Sequence, residues 1–328
     1  MGDIMCTAIS FKAEDHYFGR NLDLYYNYNE TITITPRKFP LKFRKTEDIL
    51  THYAFIGVST VDKDYPLYYD ATNEKGLSMA GLNFPKNAHY PEFQEEKLNI
   101  APFEIIPWVM GKFSSVNEAV EELKSVNLVG INYSEEMPLS PLHFIISDKE
   151  KSVTLESTVD GLKIYDNPVG VLTNNPTFDT QMLLLQNYSG LSRENHRESF
   201  SDIIESNPYS LGMGARGLPG DFSSPSRFVK AVFVKLNSLC DDDENSAVGQ
   251  FFHILSSVEQ PKGSVKVEKE KYEYTLYSSC CNTDKGIFYY TTYENRSITA
   301  VDMNKEDLNG NSLITYPFLK GEKITLQN

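Results

Sequence analysis

The chain has 328 residues, of which 40% are hydrophobic and 23% charged, and a formal net charge of −14. This is the composition of an ordinary globular protein, long enough to bury a substantial core. The acidity argues against a phosphate-backbone partner and against adhesion to anionic membranes, so neither nucleic acid nor membrane is expected as a partner.

No apolar run approaches the ~18 residues that a spanning helix needs. The opening MGDIM has neither the basic nor the apolar region of a secretory signal. The four cysteines, Cys6, Cys240, Cys280 and Cys281, form no CxxC pair. They do not resemble a disulfide framework, and they suit a reducing compartment. The expected location is the cytoplasm.

In chain order, the first ~85 residues alternate as strands do. CTAISF and HYFGRNLDLY flank KAED, a hairpin turn. TITITPRKF puts Ile32 and Ile34 on one face, and HYAFIGVST, PLYYDATN and GLSMAGLNF continue the pattern, with Asn73 and Gly76 marking a turn. PFEIIPWVMGKF is helical, and SSVNEAVEELKSV carries a capping box of Ser115 and Glu118. Strands return in LHFIISD, SVTLEST and LKIYDN. A loop-rich middle then leads to two helices, RFVKAVFVKLNSL and SAVGQFFHILSSV, and the last strands are YEYTLYSS, GIFYYTTY and SITAVDM. This order is not a βαβ alternation, so a parallel sheet is disfavoured. The expectation is an α+β fold: a four-layer αββα sandwich of two mainly antiparallel sheets in one domain.

Six polar residues carry candidate chemistry, and each has an ordinary reading beside a sharper one. Cys6 is either a small buried hydrophobe of the first strand or, if Met5 is the initiator and is removed, an N-terminal nucleophile. In that case its α-amine, with a pKa near ~8, serves as the base. Arg20 and Asp23 are either a weak surface pair or groups that the hairpin brings beside Cys6. There a cation favours thiolate and a carboxylate holds the amine. Gly19 permits close backbone approach. Asn83 and Asn174 are either turn formers or amide donors to an oxyanion. Arg227 is either a solvated charge or, since cations are unfavourable at a helix start, one with a specific partner. The histidines His16, His52, His89, His143, His196 and His253 match no metal motif and read mostly as packing or surface residues. No GxSxG elbow, P-loop or GxGxxG fingerprint occurs, and no metal or cofactor is expected.

Together, CTAISF, FGRNLD, NEKGLSMAGLNFP, NPVGVLTNNPTFD, GLPGDFSSPSRFVKAVF, FFHILSSVEQ and SITAVDMNKEDL resemble, in order from Cys6 to about residue 300, the choloylglycine hydrolase family. They are most similar to its Gram-positive bile salt hydrolases. The resemblance implies an N-terminal-nucleophile (Ntn) hydrolase fold, a homotetramer, and hydrolysis of the amide joining glycine or taurine to a bile acid. It implies Cys6 as nucleophile, Arg20 and Asp23 as the charged pair beside it, Asn174 on the oxyanion side and Arg227 as the second arginine. Asn83 stands where penicillin V acylases, the alternative activity, typically carry Tyr. Segments 24–26, 58–63 and 136–139 are expected to wall an apolar steroid pocket. The departure from the family is that residues 1–5 precede the nucleophile, as a leader, an appended segment or an alternative start, with residues 6–328 forming the hydrolase domain. If they are retained, Cys6 has no free amine, and the chain is a silent binder of bile acids.

Overall fold

The computed structural model describes residues 5–195, 201–203 and 209–328. His196 and residues 1–4 of the leader lie outside them. Two antiparallel sheets form the centre. The first runs, in spatial order, Val171–Leu172, Cys6–Lys12, His16–Leu24, Lys271–Asn282, Ile287–Thr292 and Asn295–Asp302, with Val265–Glu268 on the third of its long strands. The second has eight strands in the order Gly161–Asp166, Ser152–Thr158, Leu142–Ser147, Ser78–Asn83, Tyr65–Asn73, Phe55–Asp62, Thr31–Thr35 and Ile314–Pro317.

Alternation along one strand sorts the layers. Ile145 belongs to the core between the sheets, while its neighbours Phe144 and Ile146 pack with Trp108, Val109 and Leu123. Helices Ile105–Lys112 and Val116–Leu123 therefore cover the outer face of the second sheet. Phe178, Phe228 and Phe251, from helices Phe178–Leu185, Ser224–Leu236 and Glu244–Ser256, join the core of the first sheet. The result is the expected helix–sheet–sheet–helix sandwich. Among the described residues no helix is long and apolar enough to cross a membrane.

Local signals were obeyed with two refinements. Ser115 caps its helix by accepting from the Glu118 N–H, but the Glu118 carboxylate reaches back to the Ser114 N–H rather than to that of Ser115. The strand expected in TITITPRKF stops at Thr35, because Pro36 has no N–H to give the ladder. Two features had no local signal. Ile314–Pro317 returns to pair with Thr31–Thr35, and Leu98–Ile100 pairs in parallel with Val126–Leu128.

The first hairpin sets the register on which the site is built. Cys6 pairs with Leu22, Ala8 with Arg20 and Ile9 with Gly19. Gly19 is pressed against the neighbouring strand: a Cβ there would lie 2.0 Å from the Ser279 carbonyl oxygen. No side-chain rotation relieves a clash with backbone. Gly19→Ala is therefore expected to destabilise the protein by about 2–3 kcal/mol, at the upper end of overpacking costs. Urea denaturation at unchanged m-value would measure it, and a loss below ~0.5 kcal/mol would show that the two strands do not meet this closely.

Candidate functional site

Paired residues of an antiparallel ladder share a face, so Cys6, Ala8, Arg20 and Leu22 point to the second sheet. Thr7, Asn21 and Asp23 point to the helices. The contacts agree: Arg20 Nη1 donates to the Gly81 and Tyr69 carbonyls of the second sheet (2.5 and 3.0 Å), and Asn21 donates to the Leu255 carbonyl of a helix. Arg227, in the first turn of Ser224–Leu236, comes from the helical side. Its Nη1 donates to the Cys6 carbonyl and to Thr7 Oγ1, both at 2.6 Å. Two arginines, 0% and 1% exposed, thus bracket Cys6 from opposite faces of one sheet.

Asn174 closes the arrangement. Its Oδ1 accepts from the Cys6 N–H at 2.8 Å and from Arg227 Nη2 at 2.7 Å, and its Nδ2 donates to the Asn83 carbonyl at 2.8 Å. All six residues singled out in the sequence are buried, and these contacts join Cys6, Asn174, Asn83 and Arg227 directly. The readings of Arg20–Asp23 as a surface pair and of Arg227 as a solvated charge are overturned.

The Cys6 peptide nitrogen meets Asn174 Oδ1, and the Asp23 carboxylate accepts from Thr275 Oγ1 (2.6 Å) and Gln260 Nε2 (3.1 Å). Asp23 also steadies the residue before Cys6 through its backbone, donating its N–H to the Met5 carbonyl at 3.1 Å. Met5 N in turn donates to Glu273 Oε1 at 2.6 Å.

The electrostatics follow burial. Burial pushes the Cys6 thiol up, outweighing the pull of Arg20 toward thiolate. With Met5 attached, burial therefore favours the protonated thiol, while Arg20 pulls toward thiolate in the expected direction. Burial likewise pushes Asp23 up to about 6 against the pull of Arg227 and the Thr275 bond, and Asp70 up to about 6 against Arg20. Arg20 Nη2 is buried with no hydrogen-bond partner among the described residues, so the site holds an unmet cationic donor.

Beside Arg20 opens an apolar cavity. It is bounded by Tyr69 and Gly81, whose carbonyls hold the guanidinium, and by Tyr28, Phe103, Tyr133 and Leu142. Of the expected walls, all of 136–139 line it and Thr60 does from 58–63, but none of 24–26 does; Tyr28, further along that loop, takes their place.

Several site residues escaped the sequence reading. Ser224 Oγ accepts from the Asn174 N–H at 2.8 Å, and Gln181 Nε2 donates to the Asn174 carbonyl at 2.7 Å. Thr7, Thr275 and Glu273 also contribute. Ser224 was legible only as a helix-start serine, and the others gave no local signal.

Residues 6–316 match the linear amide C–N hydrolases, choloylglycine hydrolase family. The bile salt hydrolase/transferase of Lactiplantibacillus plantarum is 56% identical, with 95% of this chain and 97% of the relative covered. The enzyme of the same name from Clostridium perfringens is 42% identical over 99% of this chain and 100% of its own. A crystal structure of a variant conjugated bile acid hydrolase from Clostridium perfringens superposes with a TM-score of 0.91 at 40% identity, covering 98% of this chain and 100% of that one.

Asp23 yields a prediction independent of catalysis. An unfolded chain loses this proton near 3.8 and the folded chain near 6, so the folded state binds more protons between them and stability falls as pH rises through that window. Asp23→Asn removes this contribution. Gln260, whose Oε1 is buried without a partner, can turn to accept from the new amide. The variant is expected to be more stable than wild type at pH 7 by about 1–3 kcal/mol and flatter between pH ~4 and ~6, with Asp70 keeping its share of the slope. Thermal unfolding across that range is the measurement, and a marked loss of stability at pH 7 would contradict the account.

Proposed function

Because the chain belongs to the choloylglycine hydrolase family of linear amide C–N hydrolases, we propose that it hydrolyses glycine- and taurine-conjugated bile salts with Cys6 as the N-terminal nucleophile. The observation that carries the residue roles is the shared acceptor: Asn174 Oδ1 holds both the Cys6 nitrogen and Arg227.

In this mechanism residues 1–5 are removed, and 6–328 form the catalytic domain. The new α-amine of Cys6 stays on Asn174 Oδ1. The sulfur attacks the amide carbonyl, and its proton passes through the α-amine to the departing glycine or taurine. Asn174 Nδ2 has two N–H groups, of which one goes to the Asn83 carbonyl. The other, with a donor at Asn83, steadies the tetrahedral oxyanion. The sulfur–carbonyl bond persists as a thioester until water, deprotonated by the α-amine, cleaves it to the free bile acid. Arg20 and Arg227 favour the thiolate once residues 1–5 are removed, and Asp23 positions the start of the strand. The aromatic cavity beside Arg20 takes the steroid, as an apolar pocket with few polar groups suits such a ligand.

The alternative acyl group is that of penicillin V. Asn83 in place of Tyr favours bile salts, and comparing release rates from taurocholate, glycocholate and penicillin V separates the two. We further infer a cytoplasmic homotetramer. Exposed Leu183, Tyr209 and Leu211 supply apolar contact surface, and light scattering on the purified protein reads the state directly.

The decisive test pairs intact mass with amino acid release on one sample. Loss of residues 1–5 together with release is expected, and Cys6→Ala should abolish turnover while leaving the fold intact. Wild-type rates from protein whose mass retains Met5 would refute the α-amine as base. Retention of Met5 without turnover would identify that preparation as the unprocessed form. Iodoacetamide should label Cys6 at least ~10-fold faster after processing, because the sealed thiol stays protonated.

A further inference from the structure

His143 is fully buried in strand Leu142–Ser147, and both of its ring nitrogens face oxygen. Nε2 lies 2.8 Å from the Thr173 carbonyl, and Nδ1 lies 3.0 Å from Glu156 Oε1. The same Oε1 accepts the Phe178 N–H at 3.0 Å, and the imidazole stacks on Phe84 with centroids 4.2 Å apart and planes 6° from parallel. A backbone carbonyl only accepts, so Nε2 carries a proton and donates to Thr173. One further proton lies between Nδ1 and Glu156 Oε1, and Glu156 Oε2 is buried with no partner among the described residues. Both ring nitrogens are therefore bonded, and the ring cannot turn without breaking both bonds.

The neighbours of this pair give it a purpose. Thr173 precedes Asn174, Phe84 follows Asn83, and Phe178 opens the helix that carries Gln181, which holds the Asn174 carbonyl. The imidazole thus ties together the two strand ends that carry Asn83 and Asn174. A fully buried pair of titratable groups adds little stability over apolar residues of the same size, so its most direct contribution is geometric.

We propose that His143, held by Glu156, is a positioning residue for the amide-hydrolysing site, fixing Asn174 and Asn83 through Thr173 and Phe84. The proposal rests on the role given to Asn174 above.

The test uses wild type, Glu156→Gln and His143→Gln in the processed enzyme. In wild type labelled with 15N-histidine, a ring whose Nε2 carries a proton is expected, assigned by its absence from His143→Gln. In Glu156→Gln the amide oxygen is held by the Phe178 N–H and brings no proton to Nδ1, so the ring keeps only one of its two bonds. Turnover of glycocholate should then fall about 10²-fold, the cost of misplacing a reacting group by about 1 Å. KM should stay within ~2-fold, and iodoacetamide labelling of Cys6 should be unchanged. A native near-UV circular dichroism spectrum with kcat within ~2-fold of wild type overturns the proposal, as does an Nε2 without a proton in wild type even if the variant fails to fold. A wild type with the Nε2-protonated ring but no amino acid release supports the pair and counts against the proposed reaction instead.

Discussion

One oxygen atom organises this site. Asn174 Oδ1 accepts from the backbone nitrogen of Cys6 and from the guanidinium of Arg227, so the position of the first strand and that of a helix more than 200 residues later are fixed against a common point. A hydrogen bond from a charged donor is shorter and stronger than a neutral one. A buried donor left unmet costs more than a made bond gains. The loop that carries Asn174 is accordingly held on three sides, by Ser224, Gln181 and the Asn83 carbonyl.

The second constraint is charge. Arg20 and Arg227 are buried in a chain of net charge −14, yet neither makes a close ion pair among the described residues. Backbone carbonyls take most of their donors, those of Tyr69, Gly81 and Asn21 for Arg20 and those of Phe222 and Cys6 for Arg227. Carbonyl dipoles offset part of the desolvation cost without cancelling the positive field. That field remains available at the thiol between the two arginines. In the chain with Met5 attached, burial outweighs it, so the buried thiol is held protonated against the pull of Arg20.

The substrate side is simpler in physical terms. Aromatic and aliphatic side chains surround a cavity whose floor includes Tyr69 and Gly81, the residues whose carbonyls orient Arg20. The cavity wall and the carbonyls that hold a buried arginine therefore meet in the same stretch of the second sheet.

The sequence by itself determined the layers, the turn at KAED, the strand starting at Cys6 and the six candidate polar residues. These depend on period-2 and period-3.6 patterning, turn chemistry and long collinear motifs, which are local properties of a chain. Only the tertiary structure decided the wiring. It gave the Cys6 peptide nitrogen to Asn174, placed the two arginines on opposite faces, and substituted Tyr28 for residues 24–26 in the pocket wall. It also recruited Ser224, Gln181 and His143, and it paired residues 314–317 with 31–35 across the length of the chain. Each outcome is a contact between segments far apart in sequence, chosen by which buried donor could find which acceptor once the sheets had stacked. No local pattern encodes that choice, because a serine, a glutamine or a histidine reads the same in one dimension whether it faces solvent or holds a catalytic loop.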